Sequence, residues 1–184
     1  MNQRVLTHCV FAGLYPESEA ASGLEDAQRR LVADFGVARG ALMPASRLHV
    51  SLLGFAERLD APPPEMIGEI ARLLSSVPMG PFKITFNTVC TFRGRRRGRA
   101  VVLTGDDGVI GASMLGEELA AALGPVGFGG WRAKVPHLTL AWSDVVVPET
   151  SVDPVTWTAC EFVLIDSVQG AARHDVLGRW PLRS

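Results

Sequence analysis

The sequence has little of what several protein classes require. Its 184 residues include three cysteines, four histidines and one tyrosine, and no apolar run approaches the roughly 20 residues that cross a bilayer. Lys and Arg number 18 against 19 Asp and Glu, so the net charge is −1. This balance excludes a protein that binds long polyanions through a basic surface. A site that holds one or two phosphates is still compatible with it.

The cysteines Cys9, Cys90 and Cys160 are widely spaced, odd in number and each set in an apolar stretch. This pattern predicts reduced, buried thiols and argues against a disulfide framework or a zinc site. The first eleven residues lack the long apolar segment and the cleavage site of a signal peptide. We therefore expect a cytoplasmic protein with no membrane segment.

The order of predicted elements indicates the fold class. Apolar residues make up 47% and charged residues 20% of the chain, which is typical of a globular protein of one domain or two small lobes. Three helices are predicted by apolar stripes around Leu24–Leu31, Ile67–Leu74 and Leu115–Leu123. Strands are predicted at Val5–Leu14, Arg47–Leu53, Phe82–Phe92, Ala100–Leu103, Val135–Trp142, Trp157–Asp166 and Asp175–Leu182. Hairpins outnumber parallel crossovers, so the pattern favours an α+β fold with antiparallel sheets.

One short pattern occurs twice, about half of the chain length apart. The segments Leu48–Leu52 and Pro136–Leu140 both read His, apolar, hydroxyl, Leu. Because residues i and i+2 of a strand point to the same face, His49 would share a face with Ser51, and His137 with Thr139. The repeat predicts a duplication that presents two imidazole–hydroxyl pairs from two lobes related by a pseudo-twofold axis.

Two such pairs facing each other across a cleft suit hydrolysis at phosphorus. One histidine can deprotonate water while the other protonates the leaving oxygen, since the ordinary histidine pKa of about 6.5 permits either role. The hydroxyls can donate hydrogen bonds to the non-bridging oxygens. No carboxylate lies beside either motif, so we expect neither a metal ion nor another cofactor.

At these residues the sequence resembles the 2H phosphoesterase superfamily, and within it the bacterial RNA 2′,3′-cyclic phosphodiesterases that are also called 2′-5′ RNA ligases. The resemblance extends from the opening strand through the phenylalanine-rich strand Phe82–Phe92 to the closing segment Gly178–Leu182. It implies a bilobal fold of two antiparallel sheets flanked by helices, here one domain of two intertwined lobes spanning residues 1–184. Both histidines would lie in the central cleft.

The resemblance also implies an activity and residue roles. A 2′,3′-cyclic phosphate on an RNA end or a nucleotide would be opened to a 2′-phosphomonoester by a monomeric enzyme. His49 would protonate the departing 3′ oxygen, His137 would activate water, and Ser51 and Thr139 would hold the phosphoryl oxygens. The two histidines exchange roles if the reaction runs as ligation.

Other residues are secondary candidates for substrate binding. Phe92 is placed to stack a base or to join the core, and Arg132 is placed to steer phosphate. The arginine-rich turn 93–99, which includes Arg97, is placed to hold an RNA backbone or to form a solvated hairpin turn.

The remaining histidines and tryptophans carry weaker expectations. His8 and His174 lack the motif and are expected to be packed or surface side chains, although His8 has the strand position to line the cleft floor. Trp142 stands where many members of the resembled family have a basic residue, and core packing is favoured for it over base stacking. Trp131, in the glycine-rich loop, is placed to close over a nucleotide.

The first motif departs from the resembled family, because it continues Leu53-Gly54-Phe55 where the family usually has an aromatic residue followed by Leu-Gly. Alternative functions also remain open at this point. They are 2′-5′ ligation, hydrolysis of another cyclic nucleotide, binding of RNA ends without turnover, and a structural protein in which the two motifs coincide by chance.

Overall fold

Nine strands and three helices follow one another in the part of the chain that the computed structural model describes, residues 7–55, 60–92, 98–124 and 130–183. The helices are α1 (Ala21–Phe35), α2 (Pro64–Leu74) and α3 (Ile110–Leu123). The strands are β1 (Thr7–Leu14), β2 (Val50–Phe55), β3 (Phe82–Thr91), β4 (Arg99–Thr104), β5 (Gly130–Arg132), β6 (Leu138–Ser143), β7 (Thr150–Ala159), β8 (Glu161–Gln169) and β9 (Arg173–Pro181). No helix in these ranges is long and apolar enough to cross a membrane.

The strands form a sheet in the order β7-β3-β4-β6-β2-β1-β8-β9, with β5 paired to β2. Its strand pairs are antiparallel, which confirms the predicted α+β class. Four strands lie on each side of the contact between β2 and β6, and Val50 and Leu138 pair there. The two sheets expected from the resemblance are therefore joined at this contact into one continuous path.

The three helices and one face of the sheet form the main core. On α1, Leu24, Ala27 and Leu31 are buried as the spacing predicts, and the helix ends at Gly36, whose φ of 70° suits glycine at a helix terminus. Proline at the first turn of α2 costs no hydrogen bond, because those backbone N–H groups have no partner within the helix. This packing supports the opposite face of the sheet, which carries a smaller apolar cluster.

Several predicted boundaries are wrong, and the corrections matter for the site. Residues 45–47 form a short 3₁₀ turn, so the first motif strand does not begin at Arg47 but at Val50. The second motif strand begins at Leu138, and each strand thus starts one residue after its histidine. The predicted strand Trp157–Asp166 is two strands that break at Cys160, where β7 ends and β8 begins. Cys160 is also exposed, so the prediction of a buried thiol is wrong there.

Strand β3 changes faces along its length. Ile84 and Phe86 are fully buried in the main core, but Val89 rather than Cys90 continues that face. The pairing of β3 with β7 shifts register between Phe86 and Thr88, and such an irregularity breaks the alternation of side chains. Simple alternation would place Phe92 on the core face, whereas the structure places it on the opposite face.

Candidate active site

The two motifs meet where β2 pairs with β6. Val50 and Leu138 are directly paired and fully buried, so the flanking residues point to the other face of the sheet. Continuing this antiparallel register by one residue sets His49 opposite Thr139, and His137 opposite Ser51. Diagonal neighbours in such a pair are about 7–8 Å apart. The two imidazoles can therefore approach a single phosphate from opposite sides.

Both imidazoles are held by the same backbone contact. Nδ1 of His49 donates to the carbonyl oxygen of Arg47 at 2.7 Å, and Nδ1 of His137 donates to that of Val135 at 2.8 Å. A carbonyl oxygen can only accept, so Nδ1 carries a proton in each ring. Nε2 is consequently the atom that gains or loses a proton on each histidine, which is the requirement for acid–base chemistry.

The pKa of each histidine is displaced in the same direction. Burial lowers the pKa of His49, and the charges of Arg47 and His137 lower it further, while its backbone hydrogen bond raises it. Burial also lowers the pKa of His137, partly offset by its own backbone hydrogen bond. Both rings are therefore neutral near pH 7 in the absence of an anion, and a bound phosphate would favour protonation.

Each motif strand has a bulge directly after its hydroxyl residue. The register between β1 and β2 skips Leu52, and the register between β4 and β6 skips Leu140. Ser51 and Thr139 are half-buried at the start of the two bulges. The repeated irregularity at equivalent positions agrees with the duplication expected from the sequence.

A third histidine lies beside the first motif. The ring of His174, on β9, is centred 5.0 Å from that of His49, and Phe11 contacts both rings. Burial, together with the charges of His49 and Arg47, lowers the pKa of His174 to about 4, so this imidazole is neutral at physiological pH. His174 is packed, as expected, but the side chains it packs against are Phe11 and the motif histidine His49. No motif marked it, because strand pairing alone brings it to the site.

Arg47 is a second residue that the sequence did not single out. Its side chain is half-buried, and its buried Nε has no hydrogen-bond partner among the described residues. Its charge contributes to the lowered pKa of His49 and of His174, and it opposes the rise that burial causes in the pKa of Tyr15. The first motif therefore has a guanidinium beside its imidazole. The only sequence signal was its position two residues before His49.

The three secondary candidates fare differently. Phe92 lies against His137, with ring centres 4.8 Å apart, so the structure brings it to the site. Arg132 pairs with Glu117 of α3 at 3.2 Å, and no contact brings it together with the histidines in the described part of the chain. Arg97 lies outside the described residues.

Two half-exposed tryptophans share the face of the sheet that carries the histidines. Trp142 pairs with Ala100, whose carbonyl accepts a hydrogen bond from the backbone of Phe92, and its side chain is 54% exposed. The packing expected for Trp142 is wrong, because the bulge at Leu140 turns it away from the core. In the other half of the sheet, Trp131 lies over Gly54.

Gly54 is required by this tryptophan. A Cβ atom at position 54 would lie 2.3 Å from the nearest atom of the Trp131 ring. Trp131, on the neighbouring strand β5, thus covers the backbone of Gly54 with an aromatic ring.

The remaining polar groups are not catalytic candidates. Cys90 is on the site's face, but burial raises the pKa of its thiol, which disfavours the nucleophilic thiolate. His8 lies on the core face with Val10, where its Nδ1 contacts Asp166 at 2.6 Å, so it does not line the cleft. Within the described ranges, no three His, Cys, Asp or Glu side chains are grouped to hold a metal ion.

Comparison with known proteins gives consistent results. The sequence model of the 2′-5′ RNA ligase superfamily matches residues 15–171, most of the chain. A search of curated proteins gave no significant match.

Solved structures show the same fold at low sequence identity. Escherichia coli LigT complexed with 3′-AMP matches with a TM-score of 0.74 and 20% identity, covering 97% of this chain and 99% of that one. The protein TT0787 of Thermus thermophilus matches with a TM-score of 0.76 and 22% identity, covering 96% and 98%. Further structures of LigT contain phosphate, ATP or NADP⁺.

Proposed function

Because the chain belongs to the 2′-5′ RNA ligase superfamily of phosphoesterases, we propose that it hydrolyses 2′,3′-cyclic phosphates on RNA ends or nucleotides. The product is a 2′-phosphomonoester. The observation that carries this proposal is the matched pair of histidines, each locked through Nδ1 to a backbone carbonyl two residues earlier. Nε2 is then the free nitrogen of both rings, on the face of the sheet above the contact between β2 and β6.

The proposed reaction is an in-line displacement at phosphorus. Neutral His137 accepts a proton from water through Nε2 as the water oxygen bonds to phosphorus. The bond from phosphorus to the 3′ oxygen breaks on the opposite side, and protonated His49 donates its Nε2 proton to that oxygen. Proton exchange with solvent restores both rings, so protons and electrons balance without a further reactant.

The hydroxyls and one arginine have supporting roles. Ser51 and Thr139 donate to the non-bridging oxygens, on which charge develops in the transition state. Arg47 adds a positive charge beside His49, where the anionic substrate approaches. The substrate's negative charge opposes the effect of burial and of Arg47, so the protonated form of His49 becomes accessible when substrate binds. One copy of the chain contains all of these residues.

The aromatic side chains favour a nucleotide substrate. Phe92, Trp131 and Trp142 lie on the same face as the histidines, and the two tryptophans are about half exposed. Bases of single-stranded nucleic acids stack on such side chains with little sequence preference. An overall charge of −1 is sufficient when the protein holds one terminal phosphate.

The proposal is tested by the products formed from 2′,3′-cyclic AMP in the presence of EDTA, followed by ³¹P NMR. We expect conversion to 2′-AMP as the single phosphomonoester, because the acid and the base act from fixed sides of phosphorus. Formation of 3′-AMP would contradict the assigned leaving oxygen. Binding of the cyclic nucleotide or of a short RNA with a cyclic end, without any turnover, would show a binding module instead.

A further inference from the structure

A cavity of about 560 Å³ opens beside the first motif. It lies between the end of β1, the first half of α1, the turn at residues 45–48 and strand β9. Its volume is within the range of about 300–1,000 Å³ that is usual for small-molecule sites. None of the four motif residues lines it, but His174, which lies beside His49, does.

The cavity is continuous with the histidine pair through His174. This residue lines the cavity, and its ring contacts that of His49. The buried Nδ1 of His174 has no hydrogen-bond partner in the described part of the chain. A buried polar atom without a partner costs free energy, so the chain itself does not fully satisfy the polar groups on this side of the cavity.

The charges around the cavity disfavour a second phosphate. Glu17, Glu25 and Glu161 line it, and Arg179, the one lysine or arginine among the described lining residues, is paired with Glu161. His174 is neutral at physiological pH and adds no positive charge, and Arg47, which lies near His174 and Tyr15, does not line the cavity. The cavity therefore suits an uncharged group that donates hydrogen bonds to carboxylates.

The rest of the lining suits a flat, partly apolar group. Tyr15 contributes an aromatic ring and a hydroxyl group to the lining, and Gln28 contributes a polar side chain. The apolar part of the lining comes from two sides. Ala21 and Leu24 of α1 form one side, and Ala45 and Leu48 of the turn before β2 form the other. A ribose and a base together are uncharged, partly flat and apolar, and able to donate hydrogen bonds. A metal ion or a free phosphate does not combine these properties.

The geometry of in-line displacement assigns the nucleoside to this side of phosphorus. Attacking water and leaving oxygen lie on opposite sides, so the ribose that carries the leaving oxygen is on the side of the general acid. His49 has that role in the proposed reaction, and the cavity adjoins His49. We infer that the cavity beside His174 binds the nucleoside of the 2′,3′-cyclic phosphate, an inference that rests on the proposed function.

The test fills the cavity and compares two substrates. In Ala21→Trp, an exposed alanine of α1 that lines the cavity is replaced by a bulky side chain. For 2′,3′-cyclic AMP we expect KM to rise at least about tenfold. For ethylene phosphate, which has the same reacting ring but no nucleoside, the rate should not change. Ser22→Trp is the control on the next residue, a small exposed side chain outside the cavity, and it should leave both substrates unaffected.

A binding measurement separates this inference from the proposed function. Saturation-transfer NMR with adenosine, which has no phosphate, should show binding to the wild type and to Ser22→Trp but not to Ala21→Trp or Ala45→Trp. Loss of binding in both cavity variants supports the cavity even if no cyclic phosphate is hydrolysed. Unchanged adenosine binding in both, or equal losses for the two substrates, would overturn it.

Discussion

Replacing either His49 or His137 with alanine is expected to lower kcat for 2′,3′-cyclic AMP by about 10²–10⁴-fold, the usual contribution of a general acid or base. Each replacement removes one Nε2 and leaves the other histidine on its backbone carbonyl. Because both rings act on one phosphorus in one step, the double variant should lose less than the product of the two single losses. Single-turnover rates of the two single variants and the double variant measure this directly.

The control is a histidine on the opposite face of the sheet. His8→Gln keeps a side chain able to donate to Asp166, the carboxylate that His8 contacts away from the motif residues. We expect its rate to equal that of the wild type. Full activity in both single alanine variants, or an equal loss in His8→Gln, would contradict the two-histidine mechanism.

Loss of the motif hydroxyls is expected to have the next largest effect. Thr139→Val keeps the shape of the side chain but removes the donor, and Ser51→Ala removes the other. A donor to an oxygen on which charge develops contributes about 10²–10³-fold to kcat. Each variant should therefore lose about 10²-fold in kcat with little change in KM, as measured in steady-state kinetics.

Two further substitutions make this prediction specific. Ser51→Thr and Thr139→Ser retain the hydroxyl and should keep most of the activity. Thr156→Val makes the same change on β7, where the hydroxyl contacts that of Thr85, and should leave kcat unaltered. If Thr139→Val retains wild-type kcat while it is correctly folded, the hydroxyls do not act in the transition state.

The two motif histidines could be predicted from the sequence because the period of a strand is two. His49 and Ser51 share a face, as do His137 and Thr139, and the buried residues between them pair at the centre of the sheet. The antiparallel class followed in the same way from alternating segments. These inferences depend on local geometry, which the order of residues records directly.

Bulges explain what the alternation could not show. The alternation of β3 breaks where its pairing with β7 shifts register, so Phe92 lies on the face of His137, and the bulge at Leu140 exposes Trp142. One extra residue in a strand reverses the facing of every residue after it, and no residue type marks the position uniquely. Both aromatic side chains would be assigned to the core by strict alternation.

Contacts between segments that are distant in the sequence also could not be predicted, because the alternation of residues within one strand does not show which strands pair. His174 meets His49 although β9 lies three strands from β2 in the sheet, and Phe11 of β1 contacts both rings. Trp131 lies over Gly54 because β5 pairs with β2. Gly54 and Trp131 are about 80 residues apart in the sequence, and only the pairing of these two strands brings them together.

A phosphate held between His49 and His137 must affect both imidazoles at once. The most direct measurement is the pKa of each imidazole by ¹H–¹⁵N NMR, without ligand and with saturating 2′-AMP. Without ligand, both should titrate below the ordinary value of 6.5. With 2′-AMP both should rise together, since the phosphate stabilises each imidazolium. If the pKa of only one of the two histidines rises, or of neither, the phosphate does not lie between them.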